Sequence, residues 1–111
     1  MKIENTKAQM RKGVLEYCIL SLLNHKNAYA SEILKTLKEA QMLVVEGTIY
    51  PLLTRLKNAG LLSYHWEESQ SGPPRKYYTI TETGRLFLNE LTSTWQKLSF
   101  AVDQLTKQKT T

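Results

Sequence analysis

The 111-residue sequence has a single cysteine, Cys18, and little that suits a secreted or membrane protein. One thiol cannot form an internal disulfide, so we expect a reducing, cytoplasmic location. The N-terminal residues are polar and include no apolar stretch of signal-peptide length, and no later run approaches the length of a membrane-spanning helix. We therefore expect neither export nor membrane insertion.

Residue patterns that support catalysis or metal binding are also lacking. Cys18, His25 and His65 do not have the spacing of zinc ligands or of a nucleophile with its base. Glu67 and Glu68 have no partner carboxylates placed for acid–base chemistry, and no glycine-rich phosphate-binding loop occurs. The sequence favours a protein that is not an enzyme and needs no metal or cofactor.

Acidic residues are fewer than basic ones, ten against fifteen, and the formal net charge is +5. Clustered Lys and Arg displace the counterions condensed on a phosphate backbone, so this excess favours a polyanionic partner. It lies mostly in the first 60 residues, which contain nine basic and five acidic side chains. The 41% hydrophobic and 23% charged content is ordinary for one compact, soluble domain.

Three amphipathic helices are predicted in the first 60 residues, because apolar residues recur there at three- and four-residue spacing. The first covers residues 10–23, with Cys18 on its apolar face. The second is expected to have Asn27 as its N-terminal cap and to end near residue 41. The third follows the apolar link 43–45 and stops at Gly60, a residue that readily adopts the left-handed conformation of a helix end.

The periodicity changes to strand-like alternation after Gly60, over residues 61–66 and 75–80. The turn-forming segment 69–74 between them predicts a hairpin with a basic-edged tip. Thr81 is expected to cap a long final helix with a heptad stripe, which indicates a partner helix, either across a dimer axis or on the first helix. The residues of this predicted dimerisation stripe are Leu88, Leu91, Trp95, Leu98, Val102 and Leu105.

Three helices followed by a hairpin have the order of a winged helix-turn-helix, whose third helix enters the DNA major groove. The predicted fold is therefore mainly α with a small β-hairpin (α+β). Residues 1–80 form its DNA-binding region and residues 81–111 its C-terminal dimerisation helix, within one compact domain. The outer face of the third helix is expected to bind DNA through Thr48, Tyr50, Pro51, Thr54, Arg55 and Lys57.

Individual side chains of this predicted interface have distinct expected roles. Arg55 can read guanine or bind phosphate, and Thr54 can meet phosphate or a thymine methyl. Arg75 and Lys76, beside the hairpin tip, are expected to contact the DNA backbone. Tyr50 is expected to touch DNA rather than only pack, whereas Trp66 is assigned to wing and core packing. Lys12 and Lys35 are interpreted as ordinary surface charges.

Three motifs occur here in the order of a known family signature. Residues 46–56, EGTIYPLLTRL, followed by Gly60-Leu61-Leu62, match a Gly-Thr-apolar-Tyr-Pro motif that leads to an Arg-Leu pair and a Gly-Leu turn. Residues 29–33 match the start of the second helix in that signature, and residues 72–84 match its wing and exit. Over about residues 10–105 the sequence resembles the PadR family of transcriptional regulators, although Val45-Glu46 stands where the family commonly has Ser-Pro.

This resemblance implies a homodimer, built through the last helix and often the first, that represses transcription at a pseudo-palindromic operator in double-stranded DNA. Tyr29 and Ser31, at the start of the second helix, join the expected DNA-binding set. Some small PadR-like repressors place a Trp at the position of Trp95, facing its dimer mate across a cavity for a flat aromatic effector. Trp95 therefore has two open interpretations, stacking on such an effector or filling the dimer seam.

A different class of function also remains open at this point. Winged-helix domains can serve as protein-interaction modules without sequence-specific DNA binding. Such a module is expected to expose apolar residues on its third helix, whereas Thr, Arg and Lys predominate on the predicted outer face.

Overall fold

A computed structural model describes residues 1–107. They form four α-helices and one three-stranded antiparallel sheet. The mainly α architecture with a small β-hairpin and a long last helix is confirmed. Residues 108–111, the end of the predicted dimerisation helix, lie outside the described residues. The elements in chain order are α1 (Ile3–His25), β1 (Ala28–Tyr29), α2 (Ala30–Glu39), α3 (Glu46–Asn58), β2 (Leu62–Ser69), β3 (Gly72–Ile80) and α4 (Glu82–Thr106).

The start of α2 differs from the prediction, because Asn27 is not its cap. Ala28 and Tyr29 form β1 and pair with Tyr78 and Tyr77 of β3, which keeps the backbone extended through Tyr29. The helix can begin only at Ala30, and the Tyr29 N–H donates to the Glu32 carboxylate at 2.9 Å. A two-residue strand has too few positions to show alternation, so periodicity did not reveal the third strand.

The first helix is also longer than predicted, since α1 begins at Ile3 instead of residue 10. Its first two turns are rich in Lys, Glu, Ala and Gln, which favour helix by propensity without forming an apolar stripe. Cys18, expected in the core, lies half-buried against it, and this burial raises the pKa of its thiol.

The hydrophobic core lies between α1, α2, α3 and the sheet. Its central side chains come from apolar faces with helical spacing, which are Leu15, Ile19, Leu20 and Leu23 of α1, Ile33 and Leu37 of α2, and Ile49, Leu53 and Leu56 of α3. Each fully buried aliphatic side chain contributes about 1.5–3 kcal/mol relative to exposure. This burial fixes which face of α3 points inward.

One junction joins the end of α3, both ends of the hairpin and the start of α4. Gly60 has φ +81°, and its carbonyl accepts from the Thr81 hydroxyl at 2.7 Å. The Thr81 N–H donates to the Leu61 carbonyl at 3.0 Å, and Thr81 Oγ1 accepts from the Gly84 N–H at 2.9 Å. Thr81 thus caps α4, as predicted, and also holds it against the turn at residues 60–61.

Gly84→Ala is expected to lower the free energy of unfolding by about 1–3 kcal/mol, the typical cost of overpacking a tight core contact. A Cβ at this position would overlap the Leu61 carbonyl oxygen and lie 2.7 Å from Cγ1 of Ile80. Gly47→Ala is the matched control, because a Cβ there has no atom within 4 Å and the change should stay within about 1 kcal/mol. Equal denaturant midpoints for Gly84→Ala and the wild type would contradict this account.

Candidate nucleic-acid interface

Every side chain that the sequence assigned to the outer face of α3 is exposed. The buried residues of α3 are Ile49, Leu53 and Leu56, and Leu52, which was predicted to point inward, is half-buried. The exposed candidates are Thr48, Tyr50, Pro51, Thr54, Arg55 and Lys57.

Helix geometry divides these exposed residues into a central strip and two flanks. At about 3.6 residues per turn, the direction opposite the buried face is occupied by Gly47, Pro51, Thr54 and Asn58. The Thr54 hydroxyl donates to the Tyr50 carbonyl at 3.1 Å, so this side chain lies close to the helix. The strip therefore has low relief, and the longer side chains stand at its two sides.

The flank that faces α1 carries Arg55, which forms an ion pair with Glu16. A groove of about 330 Å³ separates the two helices here, lined by Lys12 and Glu16 of α1 and by Thr48 and Arg55 of α3. The predicted DNA-contacting arginine is thus already bound to a carboxylate within the chain. The sequence did not single out Glu16, because the pair joins residues 39 positions apart and depends on how α1 crosses α3.

The other flank, toward the wing, combines cations with aromatic rings. Lys76 Nζ lies 4.6 Å from the centre of the Tyr64 ring and 5.6 Å from that of Trp66, and Lys57 Nζ lies 5.8 Å from the Tyr64 ring. The Tyr64 and Trp66 rings meet edge to face at 5.9 Å. We call Lys57, Tyr64, Trp66 and Lys76 the wing patch.

The expectation that Trp66 packs in the core is wrong, since 61% of its surface is exposed. The register pairs Leu62 with Ile80 and Tyr64 with Tyr78 beside the core, but places Trp66 opposite Lys76 nearer the hairpin tip. The core ends before this level of the hairpin. Alternation along β2 and β3 was enough to place Trp66 and Lys76 on one face, but the sequence did not show where the core stops.

Tyr50 lies at the junction between α3 and the wing patch, and about half of it is exposed. Burial raises the pKa of the Tyr78 phenol, and the nearby Tyr64 and Tyr50 phenols raise it further. Tyr50 is therefore near both phenols and keeps about half of its surface accessible on the outer side of α3.

The wing cation Arg75 lies on the opposite face of the hairpin from Lys76, because successive strand residues point to opposite sides. Its guanidinium carbon is 3.9 Å from the centre of the Tyr29 ring, and Tyr29 and Tyr77 have ring centres 4.8 Å apart. Arg75 and Tyr29, both predicted DNA contacts, thus bind each other and fasten the wing to the start of α2. Ser31 is exposed in the first turn of α2 and lines a separate groove against α1.

The predicted dimerisation stripe on α4 divides into a buried and an exposed part. Leu88, with 5% exposure, belongs to the core of the protomer, so it offers almost no surface to a partner, and Leu91 is half-buried against the same core. The exposed part comprises Trp95, Leu98, Val102 and Leu105.

Further apolar residues lie beside this exposed stripe. Phe87 stands one turn before Leu91 and was missed because it falls outside the strict heptad positions. Ile3 and Met10 are exposed on α1, and the Trp95 ring lies 6.4 Å from that of Tyr17. Large apolar side chains exposed on two helices that meet at Tyr17 and Trp95 are typical of a protein–protein contact.

Residues 1–107 contain neither a cluster of metal ligands nor a membrane-spanning helix. No group of three or more His, Cys, Asp or Glu side chains in that range could hold a metal ion. None of the helices described for those residues has the length and apolar character needed to cross a membrane.

Comparison with known proteins identifies the family. Residues 19–90 match the model of the transcriptional regulator PadR-like family. A PadR-like transcription factor of Bacteroides fragilis is 59% identical, with a TM-score of 0.77 over 91% of this chain and 98% of that chain. A PadR-like regulator of Bacillus cereus is 39% identical, with a TM-score of 0.79 over 91% and 99%. A PadR family regulator of Eggerthella lenta is 32% identical, with a TM-score of 0.86 over 96% and 94%.

The matched segment contains α2, α3 and the whole wing, and so includes the interface described above. These solved relatives also share the long last helix, because the matches extend over nearly the full length of each chain. The resemblance inferred from the sequence motifs is thereby confirmed, and the chain belongs to the PadR-like family of DNA-binding transcriptional regulators.

Proposed function

We propose that this regulator is a homodimeric repressor that binds a pseudo-palindromic operator through α3 and the wing. The observation that carries the proposal is the relief of α3, a low strip of Gly47, Pro51 and Thr54 between the basic side chains Arg55 and Lys57. A helix of this shape can approach the floor of the major groove while its flanks meet the phosphates on either side.

Different contacts would supply specificity and affinity. Thr54 and Arg55 are placed to meet base edges, with Thr48 and Tyr50 beside them for phosphate contacts. Lys57 and Lys76 of the wing patch neutralise phosphates, which accounts for most of the affinity and makes it dependent on salt. Arg75, held on Tyr29, positions the wing and can still share its charge with the backbone, because its side chain is exposed.

The dimer would form through the exposed part of the α4 stripe together with the apolar residues of α1. A two-fold axis brings the same surface of both copies together, so this continuous apolar stripe can be self-complementary. Residues 1–80 then act as the DNA-reading region, and α4, within the C-terminal region 81–111, acts as the dimerisation helix of one compact, cytoplasmic protein. The two α3 helices would stand about one DNA turn, roughly 34 Å, apart.

A small aromatic effector would bind between the Trp95 side chains of the two protomers and release the DNA. Tyr17 contacts the ring of Trp95, and 42% of the tryptophan surface stays exposed for stacking. The other interpretation of Trp95, packing in the dimer seam, uses the same surface without a ligand. The alternative of a protein-interaction module has less support, because Thr, Arg and Lys dominate the exposed face of α3.

Two substitutions should distinguish base reading from phosphate neutralisation, measured on an operator selected in vitro from random duplexes. Arg55→Ala is expected to cost about 1–3 kcal/mol on the operator and to relax sequence preference. Lys76→Ala should weaken binding to all sequences alike and reduce the slope of log K against log salt by about one. Lys97→Ala, the same charge change on α4, is the control. A wild-type protein that selects no duplex sequence would refute the proposed function.

Glu16→Gln is expected to strengthen DNA binding by about 0.5–1 kcal/mol, because the DNA no longer competes with a carboxylate for Arg55. The effect must depend on Arg55, so the same substitution in an Arg55→Ala background should change affinity very little. Fluorescence anisotropy on one labelled operator gives all four affinities. Equal gains in both backgrounds would mean that Glu16 acts only through the overall charge of the protein.

Leu98→Asp is expected to convert the protein to a monomer, because burying an unpaired carboxylate in an apolar seam costs several kcal/mol. Leu86→Asp is a matched control, since Leu86 is exposed to a similar extent, 61% against 51%, on a different face of α4. Sedimentation equilibrium gives the mass of each variant. A dimer that survives Leu98→Asp and dissociates with Leu86→Asp would place the interface on the other face.

A further inference from the structure

A second groove lies on the side of the molecule where the N-terminal half of α1 passes α2. It has a volume of about 940 Å³, within the usual range of small-molecule sites, and continues along the link between α2 and α3. We call it the α1–α2 groove. Neither the central strip of α3 nor the α4 stripe forms its wall.

The interior of this groove is aliphatic. Leu15 forms a buried part of its floor, and Leu34, Met42 and Val44 are half-buried around it. Leu43 and Val45 lie at its edge and are largely exposed, although most large aliphatic side chains of this chain pack into the core. The groove therefore offers a continuous apolar lining that the fold itself leaves uncovered.

The rim of the groove is strongly basic. Arg11 and Lys12 of α1 and Lys35 and Lys38 of α2 line it, against a single carboxylate, Glu46. None of these four cations forms an ion pair with another of residues 1–107. Lys12 and Lys35, interpreted from the sequence as ordinary surface charges, are both exposed, and the fold places them around the same apolar concavity.

The combination of lining and rim restricts what can fill the groove. Ile3 and Met10 are the apolar residues of α1 that would meet a partner helix. They lie on a different face of α1 from Arg11 and Leu15, so the proposed dimer does not cover the α1–α2 groove. A DNA backbone would satisfy the cations but leave the aliphatic lining in water. An occupant that satisfies both has an apolar body and an anionic head.

We propose that the α1–α2 groove binds a single anionic amphiphile, a carboxylate on an aliphatic chain. The chain lies on Leu34, Val44 and Val45, whose remaining exposed apolar surface becomes buried and so drives binding. The carboxylate lies among the cations of α1 and α2, and Glu46 in the first turn of α3 disfavours the head group at that end. This site is distinct from the Trp95 surface, takes a different class of ligand, and does not depend on the proposed DNA binding.

Calorimetric titration of the full chain with sodium decanoate, below its micelle concentration, tests the proposal. Reversing two rim charges in the Lys35→Glu/Lys38→Glu variant should weaken decanoate binding roughly tenfold, because each of the two substitutions removes a modest attraction and adds a modest repulsion. Lys97→Glu/Lys107→Glu makes the same change of charge within α4 and at its C-terminal cap, and should alter the affinity less than about twofold. The neutral probe decanol should bind the rim variant and the wild type equally, which also shows that the groove is intact.

Methyl NMR spectra of the wild-type protein locate the ligand. Decanoate is expected to shift the methyl resonances of Leu34 and Val44 and to leave those of Leu98 and Val102 in place. Shifts confined to Leu98 and Val102 would assign binding to the α4 surface and overturn the proposal. It would be overturned equally by a wild-type protein that does not bind decanoate, or by equal affinities of the rim variant and the α4 control.

Discussion

The close contact between Gly84 and Leu61, locked by the Thr81 side chain, determines how the two halves of this protein are joined. Thr81 binds the carbonyls of Gly60 and Leu61 and caps α4 through the Gly84 N–H. The end of α3, both ends of the hairpin and the start of α4 therefore meet at one junction. In the proposed dimer built through α4, this junction would set the direction of α3 relative to the two-fold axis, and so the separation of the two α3 helices.

Aromatic rings hold the cations of the interface in place before any DNA is present. Lys57 and Lys76 lie over Tyr64, and Arg75 lies over Tyr29. A long basic side chain loses rotamer entropy when it binds a phosphate, and a contact that already restricts it reduces that loss. The cation–ring contacts differ between the two faces of the wing. Lys76 lies on the face that opens toward α3, whereas Arg75 lies on the face that is bound to the start of α2 through Tyr29.

The sequence predicted those parts of the structure that depend on local periodicity. The inward face of α3 followed from the spacing of Ile49, Leu53 and Leu56, and the hairpin followed from alternation around a turn-forming segment. Features that depend on tertiary placement could not be read in this way. The Glu16–Arg55 pair requires the crossing of α1 over α3, the exposure of Trp66 requires knowing where the core ends, and the burial of Leu88 requires knowing how α4 leaves the sheet.

The first helix connects the three surfaces to which we assign functions. One face buries Leu15 and Ile19 in the core and carries Arg11 at the α1–α2 groove, and a second exposes Met10 beside the α4 stripe. A third side of the helix carries Glu16 toward α3. A helix moves as a rigid unit over this length, so a displacement imposed by a partner helix on one face is transmitted to the others. Because Glu16 pairs with Arg55, such a displacement would change how strongly the Glu16 carboxylate neutralises the positive charge that Arg55 places on α3. The proposed dimer surface and the proposed DNA surface therefore share one mechanical element, although their residues do not overlap.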